Sequence, residues 1–402
     1  MITKQKTAYT TNAIFNFKCK MSECPDNCCR NTTWQIYVDP ESMEKYKKMD
    51  TTLGKHIVEC IEEIPEKGYA FKEFDHGHCP LLTDDGLCLI HRDLGEDYLC
   101  NTCKTYPRVW ESLNSKLEHW LSLSCPNVVR TVLYTQRKIS YFESPITLQQ
   151  TLPTPKPFDE ARRRIRDQLI EFVQYRKFSI KEKLLFMGLF MRSLSRFKLD
   201  DNFNNSVEEV ITNYRSYMNN ADFFENLFSG MANVNEDSQK EFFNMLSAVV
   251  SVSLTVPKKI PEGIKNAQYY ERMTTLHKDI TDKIADEYLT KSFNRLIVPY
   301  VNENAHVFEN YLAYSLVSSK FLIEAEDFAV AYAGFVGEFL AMLIFTAGLF
   351  KDKEVLEHDD MITGIYLFHR KISHTQKLRK TLAKEFTDNL LAWLLNALGD
   401  IK

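Results

Sequence analysis

The ten cysteines of this 402-residue chain all lie in its first third. They occur as Cys19-x4-Cys24-x3-Cys28-Cys29, an isolated Cys60, His78-Cys79-Pro80, Cys88, Cys100-x2-Cys103 and Cys125. Thiolates are soft ligands, and several of them in one pocket repel each other unless zinc or an iron–sulfur cluster neutralises their charge. The distribution therefore predicts a metal centre built by the N-terminal part of the chain.

Structural disulfides and unrelated buried thiols are the alternatives to a metal centre. A disulfide framework is typical of small secreted domains, whereas disulfides are rare in the reducing cytosol. The first ten residues, MITKQKTAYT, contain no apolar segment of the kind found in signal peptides. A chain of this length can also bury a core without cross-links. We therefore expect a cytoplasmic protein with metal-bound thiolates.

Composition limits the class of partner and the class of fold. Fifty basic and fifty-four acidic side chains give a formal charge of −4, so the chain has no overall field that would attract nucleic acid or an anionic membrane. Only thirteen glycines, together with long periodic apolar runs, argue against a sheet-rich protein with many tight turns. We expect a mainly α fold and no nucleic-acid partner.

A proline-rich stretch predicts a division into two domains. Pro153, Pro155 and Pro157 alternate along residues 152–157, where they disfavour a helix and favour an extended path. We expect an irregular cysteine-rich metal-binding domain with short strands over 1–150 and an all-helical domain over 158–402. Apolar residues at helical spacing predict helices around 165–173, 180–198, 205–230, 236–254, 267–289, 306–322, 327–350, 353–373 and 378–394.

The segment from Phe328 to Phe350 is apolar and long enough to cross a bilayer. Because Glu338 lies at its centre and a carboxylate is costly in lipid, we expect a buried core helix and no membrane insertion. The carboxylate then needs a partner within the core, or it faces a pocket.

A run of four arginines is expected to lie on a solvated helix face or, alternatively, to dock an acidic partner. These are Arg162, Arg163, Arg164 and Arg166.

Local patterns in the cysteine-rich part predict short elements. Residues 34–38, with Trp34 at their start, alternate apolar and polar side chains, as in a strand. Asp39 followed by Pro40 is typical of a helix start. Residues 81–90 indicate two short strands joined by an Asp-Asp-Gly turn. Such a hairpin would present neighbouring cysteines side by side.

Several blocks resemble the flagellin lysine N-methylases. They are Phe17-x-Cys19-x4-Cys24-x3-Cys28-Cys29-x4-Trp34, Cys79-Pro80-Leu81-Leu82, Gly86-Leu87-Cys88-x-Ile90-His91, Thr102-Cys103-x2-Tyr106-Pro107-Arg108, Leu121-Ser122-Leu123-Ser124-Cys125-Pro126 and Phe308-Glu309-Asn310-Tyr311-Leu312. The resemblance implies a bacterial cytoplasmic enzyme that carries a [4Fe–4S] cluster and methylates lysines of flagellin with S-adenosylmethionine. The cysteine core alone also resembles small zinc- or iron-chelating proteins, so zinc is the alternative metal.

The resemblance also implies a set of cluster ligands. The matching cysteines are Cys19, Cys24, Cys28, Cys29, Cys79, Cys88, Cys103 and Cys125. Eight thiols exceed the need of one cluster, and adjacent Cys28 and Cys29 point in different directions, so one of them is expected to ligate while the other packs nearby. Cys60 and Cys100 lie outside the family pattern and are expected to be free buried thiols.

The S-adenosylmethionine pocket has no motif of its own. The chain contains neither a G-x-G-x-x-G fingerprint nor the C-x3-C-x2-C spacing of radical S-adenosylmethionine enzymes. Since ligand sites favour domain interfaces, we expect the pocket between the cysteine-rich domain and the helical domain.

The catalytic candidates are Tyr106, Arg108, Glu338 and His374. Tyr106 and Arg108 follow Cys103 closely, and Arg108 could bind a carboxylate such as that of the methionine moiety, or form a structural salt bridge. His374 shares a helix face with Arg370 and could serve as a base, although a solvated pair is the alternative.

Three function classes remain open on the sequence. The first is a lysine methyltransferase with a cluster that either donates an electron or holds the fold. The second is an iron–sulfur enzyme of another reaction, and the third is a zinc-stabilised adaptor with a helical scaffold.

Overall fold

Helices dominate the computed structural model, which confirms the expected mainly α class. The structure describes residues 6–30, 35–72, 78–113, 116–146, 156–220, 222–223, 226–227, 236–254, 267–323, 325–372, 376–386, 398 and 401. The α-helices of the described residues include α1 (Ala13–Asn16), α2 (Pro40–Lys47), α3 (Thr52–Glu59), α4 (Leu89–Leu94), α5 (Asn101–Thr105), α6 (Pro126–Val128), α7 (Asp159–Val173), α8 (Ile180–Leu194), α9 (Phe203–Met218), α10 (Glu236–Ser253), α11 (Ala267–Thr281), α12 (Leu289–Ser292), α13 (Val298–Glu303), α14 (Ala305–Ser318), α15 (Phe328–Leu349), α16 (His358–Lys371) and α17 (Gln376–Phe386).

The predicted long helices are confirmed in position, with some ends shifted by several residues. Ser179 begins α8 through a capping box, in which its side chain accepts a hydrogen bond from the Glu182 amide and the Glu182 carboxylate accepts one from the Ser179 amide. Helix α16 begins only at His358, later than predicted, because Glu357 caps it. The short helices α12 and α13, joined by a π-helical turn, were not predicted. Residues 387–394, the end of the last predicted helix, lie outside the described residues.

Two small sheets lie in the N-terminal part. The strands are β1 (Lys6–Thr11), β2 (Tyr37–Val38), β3 (Ile61–Ile64), β4 (Gly68–Phe71), β5 (Arg108–Leu113), β6 (Lys116–Leu121) and β7 (Tyr141–Ile146). Their orders are β5-β6-β1-β7 and β2-β4-β3. Strand β1 pairs with β6 in parallel and with β7 antiparallel, so two strands from later in the chain flank the N-terminal strand. The four-stranded sheet was not predicted, because the pairings of β1 with β6 and with β7 join segments more than a hundred residues apart.

The local predictions around the cysteines are partly corrected. Asp39 caps α2 as expected, accepting from the Ser42 amide at 2.9 Å. Strand β2 is limited to two residues, and Trp34 lies outside the described residues. The expected hairpin at 81–90 is reduced to one bridge, because the chain enters α4 directly after Cys88. Its turn is present, with Gly86 at a φ of +81°, a conformation that glycine adopts without steric cost.

The described apolar residues form two cores. The smaller one includes residues such as Ile36, Tyr46 and Phe71 around several cysteines. The larger one joins Trp120 and Leu121 of the four-stranded sheet to the long helices, so it contains residues from both predicted domains. The boundary near 152–157 itself stays a prediction, since residues 151–155 lie outside the described part of the chain.

Helix α15 passes through the larger core. By length and composition it could cross a membrane, yet 83% of its most apolar 18-residue stretch is buried inside the protein. This burial agrees with the expected core helix. The solvated arginine face expected on α7 is confirmed for Arg164, which is about half exposed, but is wrong for Arg162 and Arg166, which are buried. Arg166 pairs with buried Glu118 at 2.6 Å, and Arg162 donates to the Pro157 and Ala325 carbonyls.

Candidate active site and thiol centre

Five cysteines surround one small cavity in the smaller core. We call Cys29, Cys79, Cys88, Cys100 and Cys103 the thiol centre. The cavity measures about 20 Å³ and is otherwise lined by apolar side chains such as Ile36 and Leu81. The backbone positions the thiols at element ends, where Cys88 precedes α4 and Cys100 precedes α5 with Cys103 one turn later. The Cys79 amide donates to the Cys29 carbonyl at 2.7 Å, which joins the two distant segments.

Two pairs of neighbouring thiols shift each other's pKa in opposite directions. A hydrogen bond from Cys29 lowers the pKa of Cys28 to about 7, and the same contact raises the pKa of Cys29 well above its ordinary value. Cys100 and Cys103 repeat this pattern, with a lowered and a raised pKa respectively. Two adjacent thiols cannot both ionise cheaply in a buried pocket, so the pocket favours an added positive charge.

Four further candidate cysteines do not line this cavity, namely Cys19, Cys24, Cys28 and Cys125. Burial raises the pKa of Cys24 to about 12 and that of Cys125 to about 11, and the charge of Arg370 opposes both shifts. The charge of the same guanidinium contributes to the lowered pKa of Cys28. Cys19 is exposed, and its sulfur accepts a hydrogen bond from the Met21 amide at 3.4 Å.

The donor set fits a thiolate-bound metal in its chemistry. Soft sulfur ligands from separate segments converge on one cavity with otherwise apolar walls, and thiolates are the ligands that structural zinc and iron–sulfur sites use. Among the described residues, no three Cys, His, Asp or Glu side chains stand close enough to hold an ion as they are. The eight-cysteine ligand set therefore stays a prediction. Cys100 is buried as expected, but it lines the cavity, a place that its C-x2-C spacing to Cys103 could have indicated.

A buried arginine connects these cysteines to the helical core. The Arg370 side chain is fully buried, its Nη1 lies 2.8 Å from Asp26 Oδ2, and its Nη2 donates to the Ser124 carbonyl at 3.1 Å. Asp26 lies between Cys24 and Cys28, and Ser124 precedes Cys125. The expectation of a solvated Arg370 is thus wrong, because this end of α16 packs against the cysteine-rich part. His374 lies outside the described residues.

A second, much larger cavity lies between the four-stranded sheet and the last helices. This main cavity measures about 670 Å³ and is bounded by β5, β6, α14, α15, α16 and α17. Its aromatic lining residues are Trp120, Tyr311, Phe321, Phe335 and Phe339, and its charged ones are Glu111, Lys320, Glu338, Arg379 and Lys380. Two of the blocks on which the family resemblance rests, Leu121–Pro126 and Phe308–Leu312, contribute to its wall.

Buried Glu338 has both of the environments expected for it, a partner within the core and a place at a cavity. Its Oε2 accepts from Arg379 Nε at 2.9 Å, and the carboxylate also lines the main cavity. Arg379 in turn donates to the Ser319 carbonyl. Lys320, the residue after Ser319, pairs with Glu111. The cavity therefore presents two carboxylates and three cations beside aromatic rings, a combination suited to a polar ligand that carries charge.

Comparison with known families identifies the chain. A family model described as the FliB lysine N-methylase C-terminal domain matches residues 166–397, which is more than half of the chain. The chain belongs to the FliB lysine N-methylase family. It is accordingly a protein-lysine N-methyltransferase, and the resemblance seen in the sequence is confirmed.

Relatives of the lysine N-methylase family support the assignment over nearly the whole chain. The lysine-N-methylases of Salmonella typhimurium and Salmonella choleraesuis are each 24% identical over 394 residues, covering 94% of both chains. The flagellar biosynthetic protein FliU of Salmonella muenchen is 30% identical over 135 residues, covering 32% of this chain and 79% of that protein. No solved structure matches.

Of the other catalytic candidates of the methyltransferase, Tyr106 and Arg108 lie in the cysteine-rich part of the chain. Tyr106 forms a hydrogen bond with Ser124 Oγ at 3.1 Å, and burial raises its pKa. The Arg108 guanidinium lies 5.5 Å from the centre of the Phe17 ring. Neither residue lines the main cavity. The cavity residues Tyr311, His369 and Arg379 were not predicted as candidates, because helical periodicity alone presents them as ordinary core or surface positions.

Proposed function

We propose that this methyltransferase transfers the methyl group of S-adenosylmethionine to lysine side chains of flagellin, in the cytoplasm, within the main cavity. The observation that carries the proposal is the cavity itself, whose volume of about 670 Å³ falls in the range of small-molecule sites. The printed names of the relatives, lysine-N-methylase and flagellar biosynthetic protein, support flagellin as the acceptor.

The polar lining suits the parts of the methyl donor. Glu111 and Glu338 offer carboxylates for ribose hydroxyls, whereas Arg379 and Lys380 offer cations for the amino-acid carboxylate. Aromatic faces such as that of Trp120 stabilise a sulfonium by cation–π attraction. S-adenosylmethionine, when bound, supplies the electrophilic methyl group.

The cavity also meets a requirement of the acceptor. A lysine ammonium, with a reference pKa of about 10.4, has no lone pair and must lose a proton before it attacks a methyl group. Burial disfavours the charged form, and nearby cations disfavour it further. Lys320, Arg379 and Lys380 provide such cations at the cavity wall.

We further propose that the thiol centre holds a [4Fe–4S] cluster. Its holders would be four of the five thiols Cys29, Cys79, Cys88, Cys100 and Cys103, which surround one cavity. A cluster there supplies either one-electron reduction or a cross-link that holds the fold. Zinc is the alternative metal, since zinc accepts the same thiolates.

Mass spectrometry of flagellin incubated with the anaerobically purified protein and methyl-labelled S-adenosylmethionine tests the proposed transfer. We expect labelled methyl-lysines. Glu338→Gln should lower the rate about tenfold, which corresponds to about 1.4 kcal/mol, because the amide can still accept from Arg379 but loses the carboxylate charge proposed to bind the ribose hydroxyls. Glu208→Gln is the matched control, since Glu208 forms an exposed pair with Arg164 away from the cavity. Unlabelled flagellin would exclude the proposed function.

Metal analysis of the same preparation tests the cluster. A brown protein with stoichiometric iron and sulfide is expected. A colourless protein that contains zinc would exclude the cluster and leave the zinc alternative.

A further inference from the structure

A tyrosine and a histidine from different helices meet at the wall of the main cavity. Tyr311 of α14 is only 2% exposed, and its hydroxyl lies 3.1 Å from Nε2 of His369 in the last turn of α16. Both side chains line the cavity. Nε2 accepts the hydroxyl proton when the imidazole proton is on Nδ1.

Packing holds this pair in place. The Tyr311 ring lies 5.7 Å from the ring centre of Phe339 and 5.7 Å from that of His369. The next residue along α16, Arg370, is anchored to Asp26 and Ser124, so the helix end that carries His369 is fixed to the cysteine-rich part. A rigidly held hydroxyl and imidazole are typical of proton-transfer groups rather than of mobile surface side chains.

Four segments of the cavity wall contribute charged groups around the pair. Helix α15 contributes Glu338, α17 contributes Arg379 and Lys380, the loop before α15 contributes Lys320, and β5 contributes Glu111. Glu338 is paired with Arg379, and Glu111 with Lys320. Burial, followed by the Glu338 charge, raises the pKa of Tyr311 well above its ordinary value. The hydroxyl is therefore protonated and relays a proton instead of storing it.

We propose that Tyr311 and His369 accept the proton that the target lysine must lose, and this inference rests on the proposed function. The lysine ammonium donates a proton to the Tyr311 oxygen as the Tyr311 proton passes to His369 Nε2. The freed nitrogen lone pair forms the new N–C bond, and the S–C bond breaks with its electron pair left on sulfur. The products are a methylated lysine cation, a neutral thioether and an imidazolium that returns its proton to solvent.

A second tyrosine–histidine pair provides a matched control. Tyr300 of α13 bonds through its hydroxyl to Nδ1 of His358 at 2.8 Å, at the opposite end of the same helix α16. Neither residue lines the main cavity. Tyr300→Phe removes one hydroxyl from an equivalent pair and should leave methyl transfer unchanged.

Single-turnover methyl transfer to flagellin across a range of pH is the test. Tyr311→Phe and His369→Gln should each lower the rate at neutral pH by about 10²–10⁴-fold, the usual contribution of a positioned acid or base. The deficit should shrink as pH rises, because more of the lysine is then deprotonated by solvent. Added imidazole should restore part of the rate to His369→Ala.

Binding of S-adenosylhomocysteine, measured by calorimetry, separates catalysis from structure. We expect both variants to bind it like the unmodified protein, whereas a merely structural role would weaken binding and transfer together. Unchanged rates and pH profiles in Tyr311→Phe would overturn the inference. If that variant does not fold, His369→Gln decides by the same criterion. No transfer by the unmodified protein would instead refute the proposed function.

Discussion

Replacing Arg370 tests how the cysteine-rich part is joined to the helical core. In Arg370→Met, the Asp26 carboxylate loses its partner at 2.8 Å while it stays buried, and the Ser124 carbonyl loses a donor at 3.1 Å. Tyr270 still donates to Asp26 at 2.9 Å. Methionine fills a similar volume, so the change acts mainly on charge and hydrogen bonding.

The size of the effect follows from the burial of both partners. Arg370 and Asp26 have fully buried side chains, and removing one partner of such a pair costs about 3–5 kcal/mol, because the other charge remains without compensation. Asp26→Asn should cost less, since the amide oxygen still accepts a hydrogen bond. The double variant should be less destabilised than the sum of the single variants, with a coupling of about 1–3 kcal/mol.

Urea unfolding of the four proteins measures these free energies. Accessibility of the thiols to a disulfide reagent supplies a local readout, because loosening Asp26 and Ser124 should expose Cys24 and Cys125. Arg215→Met is the matched control. Its partner Glu171 lies 2.7 Å away, but both side chains are about half exposed, so the loss should not exceed about 1 kcal/mol. Equal losses in Arg370→Met and Arg215→Met would refute the reasoning.

Three further predictions concern other buried positions. Burial lowers the pKa of Lys371 to about 7. Between that pH and about 10.4 the unfolded chain therefore binds more protons than the folded one, so the free energy of unfolding rises with pH across this window. Lys371→Met should abolish this rise and increase the free energy of unfolding at pH 7 by up to about 4 kcal/mol. Unfolding measured at several pH values checks this expectation. In Gly364→Ala, a Cβ would lie 2.3 Å from Thr346 Oγ1, so we expect a loss of about 1–3 kcal/mol in thermal unfolding, and an unchanged melting temperature would contradict this contact. Cys100→Ser should reduce the amount of bound metal, because Cys100 lines the thiol centre. Cys60 is a buried thiol outside the thiol centre, so Cys60→Ser should leave the metal content unchanged. Equal metal contents in the two variants would remove Cys100 from the ligand set.

Helix positions were accessible from the sequence because their signals are local. The spacing of apolar residues located α7, α8 and α10, and Asp39 before Pro40 located the start of α2. The second strand of the hairpin expected at 81–90, which was to carry Cys88, was predicted wrongly because a short apolar run fits a strand or a helix equally well. The four-stranded sheet escaped prediction because its partners, such as β1 and β6, lie far apart in the chain.

The sequence by itself determined the family, the helical class and the cysteine-rich segment, since each depends on residue types and short spacings. Only the tertiary structure decided which side chains meet. It brought Cys100 to the thiol centre, buried Arg370 against Asp26, and placed Tyr311 beside His369 at the main cavity. The physical reason is that such contacts join elements distant in the chain, and their energies depend on burial and geometry that no local pattern encodes.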